Sequence, residues 1–344
     1  MKQVPERILV IRRDNIGDLV CTTPLLSALR QHFPDAWLAA LVNSYNAPVL
    51  NGNPDLDAVF VYRKFKHAEG ESRFSVWFET LRLILRLRAM KIDLLIVATP
   101  AWQPSALKFA RWIKPSRVIC FGQQAADSGD RLAMRPADAW HETEAVMHLL
   151  SPLGITMEPG SVRVFPEPER RAVVALPAGD GPLIGLHISA RKPSQRWPAA
   201  SFAALAHRLH DQLGARFLVF WSPGAEDNKL HPGDDGKAQE LLAACRDIPV
   251  LLCPTVELPE LIAGLSLCDA IVCSDGGAMH LAAGLGKPML CFFGNSGAAH
   301  WRPWGVEHRL LQPDSLNVPD ISVDEAVATF NDLMNAVHGQ AGVQ

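Results

Sequence analysis

Two loops of this sequence carry side chains whose type and spacing can do chemistry. The first, IRRDNIGDLVCTTPLL (11–26), follows a short apolar run and contains one Gly17–Asp18 pair where a helical pattern opens. A carboxylate at this place has two uses. It can accept hydrogen bonds from the free N–H groups of the helix start as an N-cap, or it can stand at the mouth of a cleft and take a proton as a general base. Spacing alone favours the cap. The second loop, AIVCSDGGAMHLAAGLGKP (270–288), places Ser274, Gly276, Gly277 and Ala278 between a buried strand and a helix. Small residues there let backbone N–H groups approach a phosphate, and the helix dipole favours an anion. Asp275 is suited to accept hydrogen bonds from sugar hydroxyls. His280, just inside the helix, is either part of that mouth or a satisfied histidine at a helix–sheet contact.

Other charged segments are weaker signals. Arg63, Lys64, Lys66 and Arg73 fall in a loop after AVFVY, and Arg82 and Arg86 share one helix face at i, i+4. They suit an anionic acceptor or are simply a solvated surface. The loop WSPGAEDNKLHPGDDGK (221–237) reads, on its own, as a Gly/Asp-rich surface turn. A G-x-G-x-x-G fingerprint is missing from the first loop, which argues against an NAD-dependent oxidoreductase. No carboxylate pair points to a bound divalent ion, so no metal and no cofactor is expected.

The elements that must position these loops are short apolar runs alternating with amphipathic stretches. Strands are expected at 8–11, 37–42, 58–62, 93–98 and 117–122, with helices at 19–32 and 74–90. After the Pro-rich stretch 165–182 the pattern restarts, with strands at 183–188, 216–221, 249–253, 270–274 and 289–294. Helices over 199–213, 238–245, 258–268, 278–285 and 323–337 lie between and after them. Such alternation implies α/β architecture, with parallel sheets covered by helices. The domains expected are 1–165, a linker at 166–182, a second domain at 183–322, and a C-terminal helix and tail at 323–344. Ligands of open α/β sheets bind at the C-terminal ends of the strands, so loops from two facing domains would line one cleft.

Composition narrows the class. Of 344 residues 48% are hydrophobic and 20% charged, a globular balance, and the net charge of −3 argues against a nucleic-acid partner. Residues 1–165 hold 20 Lys+Arg against 16 Asp+Glu, whereas the remainder holds 13 against 20, leaving the first half the more basic. Seven cysteines without a C-x-x-C pair read as small core residues of a reduced, cytoplasmic protein. The opening MKQVPERILVIRRD is too charged for a signal peptide, and no apolar run approaches the ~20 residues of a membrane span.

Three segments in order, RRDNIGDLVCTTPLLSALR, IGLHISARKPSQRWPAASFAALA and CSDGGAMHLAAGLGKPMLCFFGNSGAAHWRPWG, resemble glycosyltransferase family 9, the ADP-heptose:lipopolysaccharide heptosyltransferases. The resemblance spans nearly the whole chain. It implies a GT-B fold, two facing Rossmann-like domains with the acceptor on the N-terminal one and the nucleotide-sugar donor on the C-terminal one. It also implies an inverting, metal-independent reaction with Asp18 as catalytic base. Asp275, Gly276, Gly277 and His280 then fall on donor sugar and diphosphate contacts, and Glu226 on a ribose contact. Arg63, Lys64, Lys66 and Arg73 would meet a lipid-linked oligosaccharide acceptor, with peripheral contact to the inner membrane from its cytoplasmic face. Two departures stand out. The family often has Lys where Gln195 precedes Arg196-Trp197-Pro198, leaving Arg191, Lys192 or Arg196 to neutralise donor phosphate. The usual Pro-Thr-Asp-Pro is replaced by Asn295-Ser296-Gly297-Ala298. The alternatives are a GT-B enzyme using a UDP-sugar or another nucleotide sugar, and a non-catalytic nucleotide-sugar-binding protein.

Overall fold

The computed structural model describes residues 4–63, 73–122, 130–132, 140–224 and 233–341. The chain divides into two compact units, Met1–Arg163 and Val164–Gln344. In the first, β1 (Arg7–Ile11), α1 (Ile16–Val20), α2 (Thr23–His32), β2 (Trp37–Asn43), β3 (Ala58–Tyr62), α3 (Arg73–Ala89), β4 (Leu94–Val97), α4 (Pro104–Ile113), β5 (Arg117–Phe121), β6 (Arg131–Leu132) and α5 (Glu142–Met147) follow in order. In the second come α6 (Pro168–Ala172), β7 (Leu183–His187), α7 (Ala199–Leu213), β8 (Arg216–Trp221), α8 (Asp235–Ala244), β9 (Val250–Pro254) and α9 (Leu258–Leu267). The unit continues through β10 (Ala270–Ser274), α10 (Gly277–Gly284), β11 (Met289–Phe292), α11 (Ala298–Trp301), β12 (His308–Leu311) and α12 (Val323–Ala341).

Each unit is a six-stranded parallel sheet, and the two strand orders are the same. The first runs β3-β2-β1-β4-β5-β6 and the second β9-β8-β7-β10-β11-β12. This is the Rossmann order, in which the direction of winding reverses beside the first strand. The reversal falls between β1 and β4 in one unit and between β7 and β10 in the other. Side chains of successive strand residues alternate between faces. Leu9 and Ile11 therefore join a core under α3 and α4 with Ile84, Leu87, Phe109 and Ile113. Ile8 and Val10 point the other way and are equally buried, where α2 and α5 pack together.

Two expected elements changed form. The helix read over 19–32 is broken at Cys21–Thr22 into α1 and α2. Pro24 is the cause, because its ring would collide with the carbonyl of Val20 in a continuous helix and it has no N–H to donate. Within 166–182 lies the short helix α6, whose Arg170 donates to Glu257 at 3.0 Å, and Val164 N–H donates to the Gly284 carbonyl at 2.7 Å. That stretch therefore packs as part of the second unit. So does α12, whose Val327, Phe330 and Leu333 are buried in the same core as α7.

Trp197 ties this core together. It is fully buried, its ring meets Phe202 at 4.9 Å and Phe292 at 4.8 Å, and its Nε1 donates to the Ile321 carbonyl at 2.9 Å. The contacts join the loop after β7 to α7, to β11 and to the start of the C-terminal helix. Replacing Trp197 with Ala should lower stability by about 3–5 kcal/mol through the cavity it leaves, visible as a large fall in the urea midpoint of the second unit.

Candidate active site

The winding reversal of the first unit is occupied by a buried arginine. Arg12 directly follows β1 and is only 1% exposed. Its guanidinium donates to Asp18 Oδ1 at 2.7 Å, to Glu142 Oε1 at 2.5 Å and to the Ala98 carbonyl, and lies 3.2 Å from Asp14 Oδ2. Glu142, the first residue of α5, is itself buried. Burial opposes the charge on Arg12, but the carboxylates of Glu142, Asp18 and Asp14 outweigh it and hold the guanidinium proton above its ordinary pKa. The thiol of nearby Cys21 is pushed up to about 12, by burial first and by Glu142 second, and is inert at neutral pH.

Asp18 is fixed from two sides. Besides Arg12, its Oδ2 accepts the N–H of Asn15 at 2.9 Å. Because α1 begins at Ile16, Asn15 is the cap and Asp18 sits at the third helical position, where its carboxylate reaches back to the cap N–H. Asp18 was read as a candidate N-cap; the earlier helix start makes it the partner of the cap. Its side chain keeps 15% of its surface exposed, in contrast to 3% for Glu142. Of the two, Asp18 is the more exposed. Asp14 accepts from Gln103 Nε2 at 2.5 Å and Thr99 Oγ1 at 3.3 Å, binding the loop after β1 to the loop after β4. Asn43, at the end of β2, donates to the carbonyls of Arg13 and Asp14. Arg13 donates to Tyr62 Oη at 2.7 Å and lies over the Tyr62 and Phe109 rings.

The reversal of the second unit carries Asp275, Gly276, Gly277 and the loop that holds Gln195. Asp275 follows β10, and its N–H donates to the Phe292 carbonyl. Gly276 takes φ 157°, ψ −170°, a backbone region open essentially to glycine, and turns the chain into α10 at Gly277. Gln195 is 5% exposed and donates to Asp275 Oδ2 at 3.1 Å and Ser296 Oγ at 3.3 Å, while Ser274 Oγ donates to its carbonyl at 2.7 Å. It thus braces the loops after β7, β10 and β11. At Gly294 a Cβ would stand 2.6 Å from the Ser194 carbonyl, so the approach of two of these loops requires glycine. Lys192 reaches the Asn295 carbonyl at 3.3 Å and is exposed, as is Arg191. Arg196 is half-buried and donates to the Ala190 carbonyl at 2.8 Å. His280 is buried, with its ring edge-on to Trp301 at 5.9 Å.

At the end of β7, burial and then the neighbouring Lys237 lower the pKa of His187 to about 4. Arg63 is exposed just beyond β3 and Arg73 opens α3; Lys64, Lys66 and Glu226 lie outside the described residues. The sequence also contains an Asp-x-Asp spacing, Asp55-Leu56-Asp57, that the expectation of no ion-binding pair overlooked. Both carboxylates are engaged, Asp55 by Ser27 at 2.5 Å and Asp57 by Arg30 at 2.6 Å and the Leu38 N–H at 2.7 Å.

A family model described as glycosyltransferase family 9 (heptosyltransferase) matches residues 80–325, well over half of the chain. The chain belongs to glycosyltransferase family 9. It is similar to lipopolysaccharide heptosyltransferase 3 of Escherichia coli, with 25% identity over 296 residues that cover 84% of this chain and 83% of that protein. Among solved structures, E. coli ADP-heptose LPS heptosyltransferase II superposes with a TM-score of 0.75 at 18% identity, covering 96% of this chain and 99% of that one. E. coli heptosyltransferase WaaC with ADP gives 0.75 at 15% identity, covering 95% and 99%. The fold is GT-B, and the protein is a glycosyltransferase.

In this family 9 glycosyltransferase, Arg12, Asp14 and Glu142 form the ion network around the candidate residue Asp18, and Gln195 braces Asp275, contacts that the sequence alone does not show. Arg12 had a visible signal, a charge directly following four buried strand residues. Glu142 had none, since it lies 130 residues away. Replacing Arg12 with Met should cost about 3–5 kcal/mol, because buried carboxylates lose their partner. Adding Glu142→Gln should recover part of that loss in a urea-denaturation cycle. His187 supplies a pH dependence. The unfolded chain takes up a proton near 6.5 that the folded state refuses until about 4. Its stabilising contribution is therefore complete above the unfolded value and is lost as pH falls across that window. His187→Asn should flatten this part of the acid limb of the urea midpoint.

Proposed function

We propose that this protein moves heptose from ADP-heptose to a lipopolysaccharide core acceptor, with inversion at the anomeric carbon and without a metal ion or other cofactor. The observation that carries the reading is the Arg12–Asp18 pair at the winding reversal of the first unit, set within a family 9 chain. Asp18 takes the proton of the acceptor hydroxyl as its oxygen bonds to the anomeric carbon. The bond from that carbon to the diphosphate oxygen breaks at the same time, and its electron pair leaves with ADP. A fixed, charged carboxylate is suited to this because it needs no reorganisation during the reaction.

The first unit takes the lipid-linked oligosaccharide acceptor, with Arg63, Lys64, Lys66 and Arg73 toward its anionic groups. The second takes the donor. Asp275 accepts from the sugar hydroxyls, Gly276 and Gly277 bring backbone N–H groups to the diphosphate, His280 supports that turn, and Glu226 holds the ribose. With Gln195 turned inward as a brace, the phosphate charge falls to Arg191, Lys192 or Arg196, of which Lys192 and Arg191 are the exposed ones. The enzyme works in the cytoplasm, peripherally at the inner membrane, and takes no nucleic acid.

Calorimetric titration with ADP and with UDP, each in EDTA and in magnesium, tests the donor assignment. The expected result is tighter binding of ADP, unchanged by magnesium. A preference for UDP would move the enzyme to another nucleotide sugar, and binding that requires magnesium would overturn the metal-independent part of the proposal.

A further inference from the structure

The outward face of α3 does not match a solvated helix. At 100° per residue, Phe78 and Leu85 are seven positions apart and share one face, opposite the buried Val76 and Leu87. Phe78 is 63% exposed, Leu85 55% and Trp77 57%. Trp112, on the adjacent helix α4, is 50% exposed. A surface helix normally turns its apolar side chains to the core, yet these large apolar side chains keep half or more of their surface exposed. Neutral apolar patches of this kind suit another protein, but this one is strongly basic. Arg82 and Arg88 flank the Phe78–Leu85 stripe, with Arg86 beyond, and Lys108 and Arg111 are exposed on α4. Glu79 is the only acidic residue in the two helices.

We propose that the α3–α4 face of the first unit is a docking surface for an anionic phospholipid bilayer. Aromatic and leucine side chains enter the boundary between headgroups and acyl chains, and the surrounding arginines and lysines meet lipid phosphates. Among the described residues no helix is long and apolar enough to cross a membrane, so the contact is interfacial. The placement also suits delivery of a lipid-anchored acceptor. The carbonyl of Met90, just past the end of α3, accepts from Arg7 at the start of β1. The helix therefore runs from that edge of the sheet toward the edge that carries Asp18, with Trp77 and Phe78 near its far end. A helix of this length spans about 25 Å.

This inference deepens the peripheral-membrane part of the function proposed above. Its test needs neither donor nor acceptor, so its failure would leave the transfer reaction standing. Full-length protein is floated with vesicles of phosphatidylcholine alone and of equimolar phosphatidylcholine and phosphatidylglycerol, at low and high salt. Binding is expected only to the phosphatidylglycerol vesicles, weakening with salt. Phe78→Ser with Leu85→Ser should lower partitioning at least about tenfold. Arg82→Glu with Arg88→Glu should do the same, since each cation contributes roughly fivefold near an anionic surface. Trp112→Ser reads the same face from α4 should an α3 variant misfold, and circular-dichroism melts check each protein. Absence of binding to phosphatidylglycerol vesicles, or variants that partition like the wild type, would overturn the proposal. So would a wild-type dimer, in sedimentation without lipid, that Phe78→Ser converts to monomer, because the face would then belong to a second copy.

Discussion

A guanidinium removed from water must be surrounded by carboxylates and carbonyls, and the first unit is arranged around that requirement at Arg12. The residue occurs where β1 ends and β4 runs beside it, so its side chain reaches carboxylates from the loop after β1, from α1 and from α5. Each partner is held in turn. Asp14 is bound by Gln103 and Thr99, Asp18 by the Asn15 N–H, and Glu142 by its burial. A buried charge cluster of this kind adds little stability relative to an apolar core of the same volume. What it does provide is a fixed position for Asp18, the partly open member.

The second unit solves the same geometric problem without a buried charge. There the loops at the winding reversal are joined through the neutral Gln195, whose amide lies between Asp275 and Ser296 and whose carbonyl accepts from the Ser274 hydroxyl. Trp197, two residues on, anchors the same loop in the core. Arg191 and Lys192, in the same loop, are exposed.

Much of this was legible in the sequence because buried parallel strands are continuous apolar runs. ILVI, LIGLHI and AIVCS announce β1, β7 and β10 without ambiguity, and the loops after them hold Asp18, Gln195 and Asp275. Other elements carried no such signal. The edge strand β12 is half-buried and reads HRLL, α5 has six residues and so less than two turns of periodicity, and β6 has two. The extra break at Pro24 follows from a rule about proline rather than from hydrophobic pattern. The partners of Glu142 and Gln195 were illegible for a different reason, although Gln195 itself stood out as the residue in place of the family's Lys. Their roles come from tertiary contacts across 130 and 80 residues, which no local spacing encodes.

Asp18, held by Arg12, is the proposed base. Steady-state turnover of ADP-heptose with a core oligosaccharide acceptor, compared between wild type and Asp18→Asn, tests it most directly. The amide keeps the size of the side chain and removes the proton-accepting charge. The account predicts a fall in kcat of about a hundred- to ten-thousandfold, as expected for loss of a general base, with ADP affinity unchanged. An Asp18→Asn enzyme that turns over at the wild-type rate would contradict it.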